Sequence, residues 1–154
     1  MANKTIIITG ATDGIGLESA TKIAALGNQV GLVGRNPDKG LKSINRIVSL
    51  TGNDKIDFFQ SDLSLISEIN KLSDEIKNKY SKIDVLLNNA GGANKNKTIT
   101  SEGLEKTFAT NQMNYFTLTT NLMDILSASK GSRVVNVASN AHIGASIDFD
   151  NRVV

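Results

Sequence analysis

The run Thr9-Gly10-Ala11-Thr12-Asp13-Gly14-Ile15-Gly16 follows directly on the apolar run Ile6-Ile7-Ile8, and no other stretch of the sequence restricts the fold as strongly. A strand that ends in a glycine-rich turn and restarts as a helix aims unpaired backbone N–H groups, and the positive end of a helix dipole, at one point in space. That point suits an anion such as a pyrophosphate. Each glycine then has a separate role, in which Gly10 makes the tight turn, Gly14 lets backbone approach the phosphates, and Gly16 brings the helix close to the sheet. Three glycines alone also fit an ordinary strand-to-helix turn, so the rest of the chain has to decide.

Composition narrows the classes. With 154 residues, 40% of them apolar, and one proline, a single globular domain over 1–154 with a real core is expected. Seventeen basic residues against fifteen acidic ones leave a net charge of +2, with nothing more basic than the scattered Lys95 and Lys97. Neither nucleic acid nor a membrane surface is implied as a partner. No apolar stretch approaches bilayer-spanning length, and the N-terminus lacks the charged-then-apolar layout of a secretion signal, so a cytoplasmic location is the expectation. The sequence holds no cysteine, which excludes disulfides and thiolate metal sites, and no metal is expected.

Short runs rich in Ile and Val alternate with helical periodicity, the pattern of βα units and a parallel sheet. Strands are expected near Thr5 to Thr9, Gln29 to Val33, Lys55 to Gln60, Ile83 to Asn88 and Arg133 to Ala138. The second helix opens at Asn36-Pro37, a cap followed by proline at the first helical position, carries Leu41, Ile44 and Val48, and stops at Gly52. Leu65, Ile69, Leu72 and Ile76 line one face of its successor. A long helix is expected over 101–128, where Leu104, Phe108, Asn111, Tyr115, Leu118, Leu122 and Ile125 recur at steps of four and three. That phase puts Asn111 in a buried stripe. An unpaired primary amide there costs on the order of 1–3 kcal/mol, so Asn111 needs partners, either neighbouring backbone or a site near the sheet.

Right-handed crossovers and the doubly wound order 3-2-1-4-5 place strands one and four side by side, at the point where the chain changes direction across the sheet. Ligands bind outside such strand ends. The segments that converge there are the glycine run, Asn88-Asn89-Ala90-Gly91 and Val137-Ala138-Ser139.

These motifs, with Asp62-Leu63 after strand three, Thr110-Asn111 in the long helix and Val135-Asn136-Val137-Ala138-Ser139, together resemble the short-chain dehydrogenase/reductase family over essentially the whole chain. Gly34-Arg35-Asn36-Pro37, Thr100-Ser101-Glu102-Gly103-Leu104-Glu105 and Ser139-Asn140-Ala141-His142 are similar to its retinol-dehydrogenase-like and WW-domain-oxidoreductase-like branch. The resemblance implies a Rossmann-type α/β fold and hydride transfer between a nicotinamide cofactor and a small carbonyl or alcohol substrate. It further implies that Thr9, Gly10, Thr12, Asp13, Gly14, Ile15 and Gly16 hold the cofactor pyrophosphate, that Asp62 and Leu63 border the adenine, and that Asn88, Asn89, Ala90 and Gly91 line the cleft. By the same resemblance Ser139 bonds the substrate oxygen and Asn111 anchors a water in a proton relay. From the residues alone, Ser139 equally suits a strand-end cap.

Charge at the end of strand two bears on the cofactor. An acidic residue there would accept hydrogen bonds from the ribose 2′-OH of NAD and repel a 2′-phosphate. The chain has Gly34, Arg35 and Asn36 instead, and a guanidinium pairs bidentately with phosphate. NADP(H) is therefore favoured over NAD(H), although Asp13 is acidic and Arg35 also suits a solvated surface position.

The family's acid/base residue is a tyrosine followed four positions later by a lysine, which lowers the tyrosine pKa from about 10 toward the working pH. The only tyrosines here, Tyr80 and Tyr115, lack that lysine. The expected tyrosine falls near Arg152 or further on, and its lysine beyond Val154, so the sequence is expected to stop before the catalytic centre is complete. The family's last strands are then missing too, which would leave the Val134, Val135, Val137 strand as a sheet edge. Two functions remain open: an oxidoreductase whose isolated chain does not turn over, and a non-catalytic dinucleotide-binding module. The family's dimer habit makes a homodimer through helix 101–128 an expectation. His142 alone supports neither a metal nor a triad role.

Overall fold

The computed structural model describes residues 4–144 and 146. Five parallel strands form one sheet in the order β3-β2-β1-β4-β5: β1 (Thr5–Thr9), β2 (Gln29–Gly34), β3 (Ile56–Gln60), β4 (Val85–Asn88) and β5 (Arg133–Asn136). This is the expected doubly wound order. β1 is central, with Ile6, Ile7 and Ile8 opposite Val30, Gly31 and Leu32 on one side and Val85, Leu86 and Leu87 on the other. A strand covered on both faces needs apolar residues at every position rather than at alternate ones. Accordingly Ile7 joins one core layer with Leu72, Ile76, Leu118 and Leu122, while Ile6 and Ile8 join the opposite layer with Leu17, Ala20 and Ile47. Three strands are shorter than their apolar runs suggest, and β5 ends at Asn136 rather than Ala138.

Helices α1 (Gly14–Ala25) and α2 (Pro37–Thr51) cover one face. The Asn36 side chain accepts the Lys39 N–H, Pro37 opens α2, and Gly52 ends it in the left-handed conformation at φ +67°. One position departs from expectation. Leu41 is exposed, and the helix instead buries Gly40, Ser43 and Ile47. A Cβ at Gly40 would stand 2.6 Å from the Phe58 ring, so the absent side chain lets α2 approach closely and turns Leu41 outward.

Helix α3 (Ile66–Lys79) buries Ile69, Leu72 and Ile76 on the other face, as expected. Its cap residue, Leu65, has no side chain able to cap. The Glu102 carboxylate supplies the missing acceptor from a distant loop, taking the Ile66 and Ser67 N–H groups.

The long helix over 101–128 is corrected in extent and phase. Residues 101–104 form turns, and Glu105 caps the Thr107 and Phe108 N–H groups at the start of α4 (Lys106–Phe108). A wide π-helical turn, Ala109–Met113, comes next, then α5 (Asn114–Asn121) and α6 (Met123–Ser127). The buried line is Ala109, Asn114, Leu118, Leu122 and Leu126. Its first step is five residues, which a π turn spans and an α turn does not. Phe108 and Asn111 consequently face outward, and the buried amide belongs to Asn114.

Every residue of β5 is exposed, including Val134 and Val135. Among the described residues β5 pairs with β4 alone, so it forms the expected apolar sheet edge. No helix among the described residues is long and apolar enough to cross a membrane.

Candidate dinucleotide site

The C-terminal ends of the strands gather the motifs, and each of the three glycines in the first turn has a different surrounding. Gly10 turns the chain at φ +64°, and a Cβ there would lie 2.9 Å from the Ala90 Cα. At Gly16 a Cβ would meet the Gly10 carbonyl oxygen at 2.2 Å and the Asn89 amide nitrogen at 2.6 Å. Protein fills both spaces. Gly14, at φ +49°, has nothing within 4 Å of where its Cβ would be. Gly14 itself lines a cleft at the start of α1, beside exposed Ile15.

The second wall is Asn88-Asn89-Ala90-Gly91, tied to that turn. The fully buried Thr9 hydroxyl accepts the Asn89 and Ala90 N–H groups, both at 2.9 Å. The Asn89 amide donates back to the Thr9 and Gly10 carbonyls at 2.9 and 3.3 Å. Asn88, also fully buried, reaches the other way, donating to Thr119 Oγ1 at 3.1 Å and Asn136 Oδ1 at 2.9 Å. It braces β4 against α5 and β5.

A cleft of about 1060 Å3 runs from the glycine turn to the end of β2, where Arg35, Asn36 and Lys39 line it with Asp62 and Leu63. Burial pushes the Asp62 carboxyl up, but the Ser64 N–H and hydroxyl, with the Arg35 and Lys106 cations, outweigh it and hold Asp62 below the usual carboxylate range. Asp13 is also lowered, by the Gly14 N–H at 2.8 Å and by Lys39 at 3.2 Å. Thr12 packs its side chain toward Gly34.

A second cleft, about 1040 Å3, shares Ile15, Asn89 and Gly91 with the first and continues to Ser139. Asn111 lies on it, its amide paired reciprocally with the Gly92 backbone, both bonds at 2.9 Å. Of the two partner types that the sequence left open for Asn111, backbone is the one observed. The Ser139 hydroxyl oxygen accepts the Ala141 N–H at 3.2 Å. Tyr115 is half-buried, donating to the Val137 carbonyl at 3.4 Å, and burial pushes its pKa up. Tyr80 sits at the far end of the sheet, bonded to Asp57 at 2.6 Å, and is also raised, by burial and then by Asp57. Arg152 and Val154 lie outside the described residues, as does the side chain of His142.

Among the lining residues that escaped the sequence reading are Lys39, Lys106 and Ser61. Lys39 and Lys106 look like ordinary helix-surface lysines until α2 and α4 are placed around one cleft. Ser61 is buried, lines the same cleft, and its hydroxyl has no hydrogen-bond partner among the described residues. Only its position, directly before Asp62, could have drawn attention to it.

Comparison with known proteins agrees with this geometry. Residues 4–148 match the family described as short chain dehydrogenase. Human retinol dehydrogenase 13 is 34% identical over 148 residues, covering 96% of this chain and 45% of that protein. Human polyprenol dehydrogenase is 36% identical over 153 residues, covering 97% and 46%. The WW domain-containing oxidoreductase of Gallus gallus is 34% identical over 142 residues, covering 92% and 34%. The chain thus spans about half or less of these relatives' length. A metagenomic short-chain oxidoreductase solved in complex with NADP superposes with a TM-score of 0.80 at 25% identity, covering 93% of this chain and 65% of that one. A short-chain dehydrogenase from Shigella flexneri, complexed with NADP, gives 0.79 at 27%, covering 95% and 63%. Sheet order, glycine turn and these matches agree: the chain belongs to the short-chain dehydrogenase/reductase family, in its retinol-dehydrogenase-like and WW-domain-oxidoreductase-like branch.

Proposed function

We propose that residues 1–154 form the NADP(H)-binding part of an oxidoreductase acting on small carbonyl or alcohol compounds. The observation that carries this reading is the contrast among the glycines. The spaces at Gly10 and Gly16 are filled by backbone, whereas the space at Gly14 is open and Gly14 lines the cleft at the start of α1. A helix N-terminus approached by bare backbone is an anion site, and it fits a pyrophosphate. Thr12, Asp13 and Ile15 complete that turn, and Asn88, Asn89, Ala90 and Gly91 wall the middle of the cleft. Asp62 and Leu63 border the adenine end. Arg35 and Asn36 at the close of β2 face the ribose, where the Arg35 guanidinium favours a 2′-phosphate.

When bound, the nicotinamide supplies or accepts hydride. The chain's own contribution at that end is positional. Ser139, three residues past the end of β5, is held by the Ala141 N–H on the same cleft as Asn111, where its hydroxyl polarises the substrate oxygen. Asn111, locked to Gly92, anchors a water for the proton relay. Neither tyrosine has the family's lysine four residues on, and Tyr80, bonded to Asp57, lies at the other end of the sheet. Turnover by this chain alone is therefore not expected, which favours dinucleotide binding without catalysis as the second reading. Exposed Phe116 and Met123 on α5 and α6 support association of two copies along that helix.

Titration by NADPH fluorescence tests the binding. In Gly14→Val the new Cβ meets no protein atom within 4 Å, and the strain of φ +49° costs about 1–2 kcal/mol. The fold is expected to persist while NADPH affinity falls at least tenfold; unchanged affinity would overturn the site. Steady NADPH oxidation with aldehydes, abolished by Ser139→Ala, would overturn the expectation of no turnover.

A further inference from the structure

The phosphate end of the cleft contains a conflict that the preference for NADP(H) does not resolve by itself. Asp13 stands in the glycine turn, 82% of its side chain exposed, and its negative charge opposes any phosphate placed between that turn and Arg35. One carboxylate oxygen is occupied by the Gly14 N–H at 2.8 Å. The other receives the Lys39 ammonium at 3.2 Å, across the mouth of the cleft from α2. Lys39 is not free to wander at its backbone, because the Asn36 cap accepts its N–H at 3.0 Å. Among the described residues, the cleft's charged lining is Arg35, Lys39 and Lys106 against Asp13 and Asp62. Arg35 and Lys106 both act on Asp62. Lys39 is therefore the cation that balances Asp13, and the lining's surplus positive charge lies with Arg35 and Lys106 around Asp62.

A second observation marks the same end as a ligand site. Ser61 is 98% buried and is among the residues lining this cleft, and its hydroxyl finds no hydrogen-bond partner among the described residues. A buried hydroxyl without a partner costs free energy that a bound polar group removes.

We propose that Lys39 is a specificity-determining residue, which by neutralising Asp13 converts an acidic turn into one that admits the 2′-phosphate of NADP(H) beside Arg35. This rests on the NADP(H) reading above. Lys39 acts through Asp13 and is a positioning residue for charge, while Arg35 is the phosphate partner. The neutralised turn remains compatible with the free 2′-OH of NAD(H), so loss of Lys39 penalises one cofactor and spares the other.

The test is the affinity of the intact chain for NADPH and NADH, with 2′,5′-ADP and 5′-AMP as probes of the adenosine end alone. Wild type is expected to bind NADPH at least tenfold more tightly than NADH. Lys39→Met is expected to lose on the order of tenfold for NADPH and 2′,5′-ADP, and less than twofold for NADH and 5′-AMP. Asp13→Asn introduced into Lys39→Met is expected to restore NADPH affinity to within about threefold of wild type, and Lys39→Arg alone should do the same. Equal losses for both cofactors would make Lys39 merely structural and overturn the proposal. So would failure of Asp13→Asn to restore binding. If wild type shows no preference for NADPH, and Arg35→Ala leaves both affinities unchanged, the NADP(H) reading and this proposal fall together. A preference that survives Lys39→Met overturns this proposal alone.

Discussion

Replacing Thr9 with valine removes one hydroxyl and keeps the side chain's shape. In the folded chain that hydroxyl is wholly buried and accepts two backbone N–H groups, from Asn89 and Ala90, each at 2.9 Å. Valine cannot accept either. A buried donor left unpaired costs about 1–3 kcal/mol, so two cost roughly 2–6 kcal/mol, a large share of the ~5–15 kcal/mol typical of a domain. Relaxation will recover part of this, because the Asn89 amide still holds the Thr9 carbonyl. Urea unfolding followed by circular dichroism should show a loss of about 2–4 kcal/mol with an unchanged slope. Thr9→Ser keeps the acceptor and removes only a methyl, worth about 1 kcal/mol. The ordering decides the matter: if valine costs no more than serine, the hydroxyl bridge does not hold the glycine turn to β4. NADPH affinity should fall with Thr9→Val as well, since Gly10 and Ala90 are placed against each other by this bridge.

Gly16→Ala should lower stability by on the order of 1–3 kcal/mol, because its Cβ would fall 2.2 Å from a backbone carbonyl that cannot yield cheaply; a stability equal to wild type in urea would contradict the close approach of α1. Asp62 is lowered in the folded chain, so it contributes stability above its unfolded pKa of about 3.9, and that contribution is lost as pH falls through the lower folded value. Thermal melts of Asp62→Asn should therefore lie below wild type at pH 7 and converge with it at acid pH, and a gap that widens below pH 4 would reverse the assigned sign.

Much of the sheet was legible because its signals are local. An all-apolar triplet such as Ile6-Ile7-Ile8, closed by glycine, states both strand and double burial without reference to any partner. Asn36-Pro37 and Gly52 mark the ends of α2 by the same kind of local rule, and the structure follows them. The misplaced or overlooked side chains are those whose surroundings come from elsewhere. Leu41 turns outward because Phe58, eighteen residues on, claims the space at Gly40. Glu102 caps α3 from another loop. Lys39 and Lys106 share a cleft only after α2 and α4 have packed, and no spacing between positions 39 and 106 announces it.

The long helix shows how one local irregularity changes the chemistry of a side chain. A 3.6-residue period carried through Phe108, Asn111 and Tyr115 puts Asn111 in the core, where its amide would have to be satisfied by buried partners. The π turn at Ala109–Met113 inserts one additional residue between buried positions 109 and 114. The helix before it is rotated relative to α5 and α6, and Asn111 moves from the core to the wall of a cleft. There its amide can close a reciprocal pair with Gly92 and still stand at solvent. The rotation has a cost on its other side: position 114 now faces inward with an asparagine, whose Oδ1 is buried without a partner among the described residues. A chain shaped only for packing would carry an apolar residue at 114 and an unbroken α-helix. The irregular turn is instead what places Asn111 beside Gly92, on the cleft that also reaches Ser139.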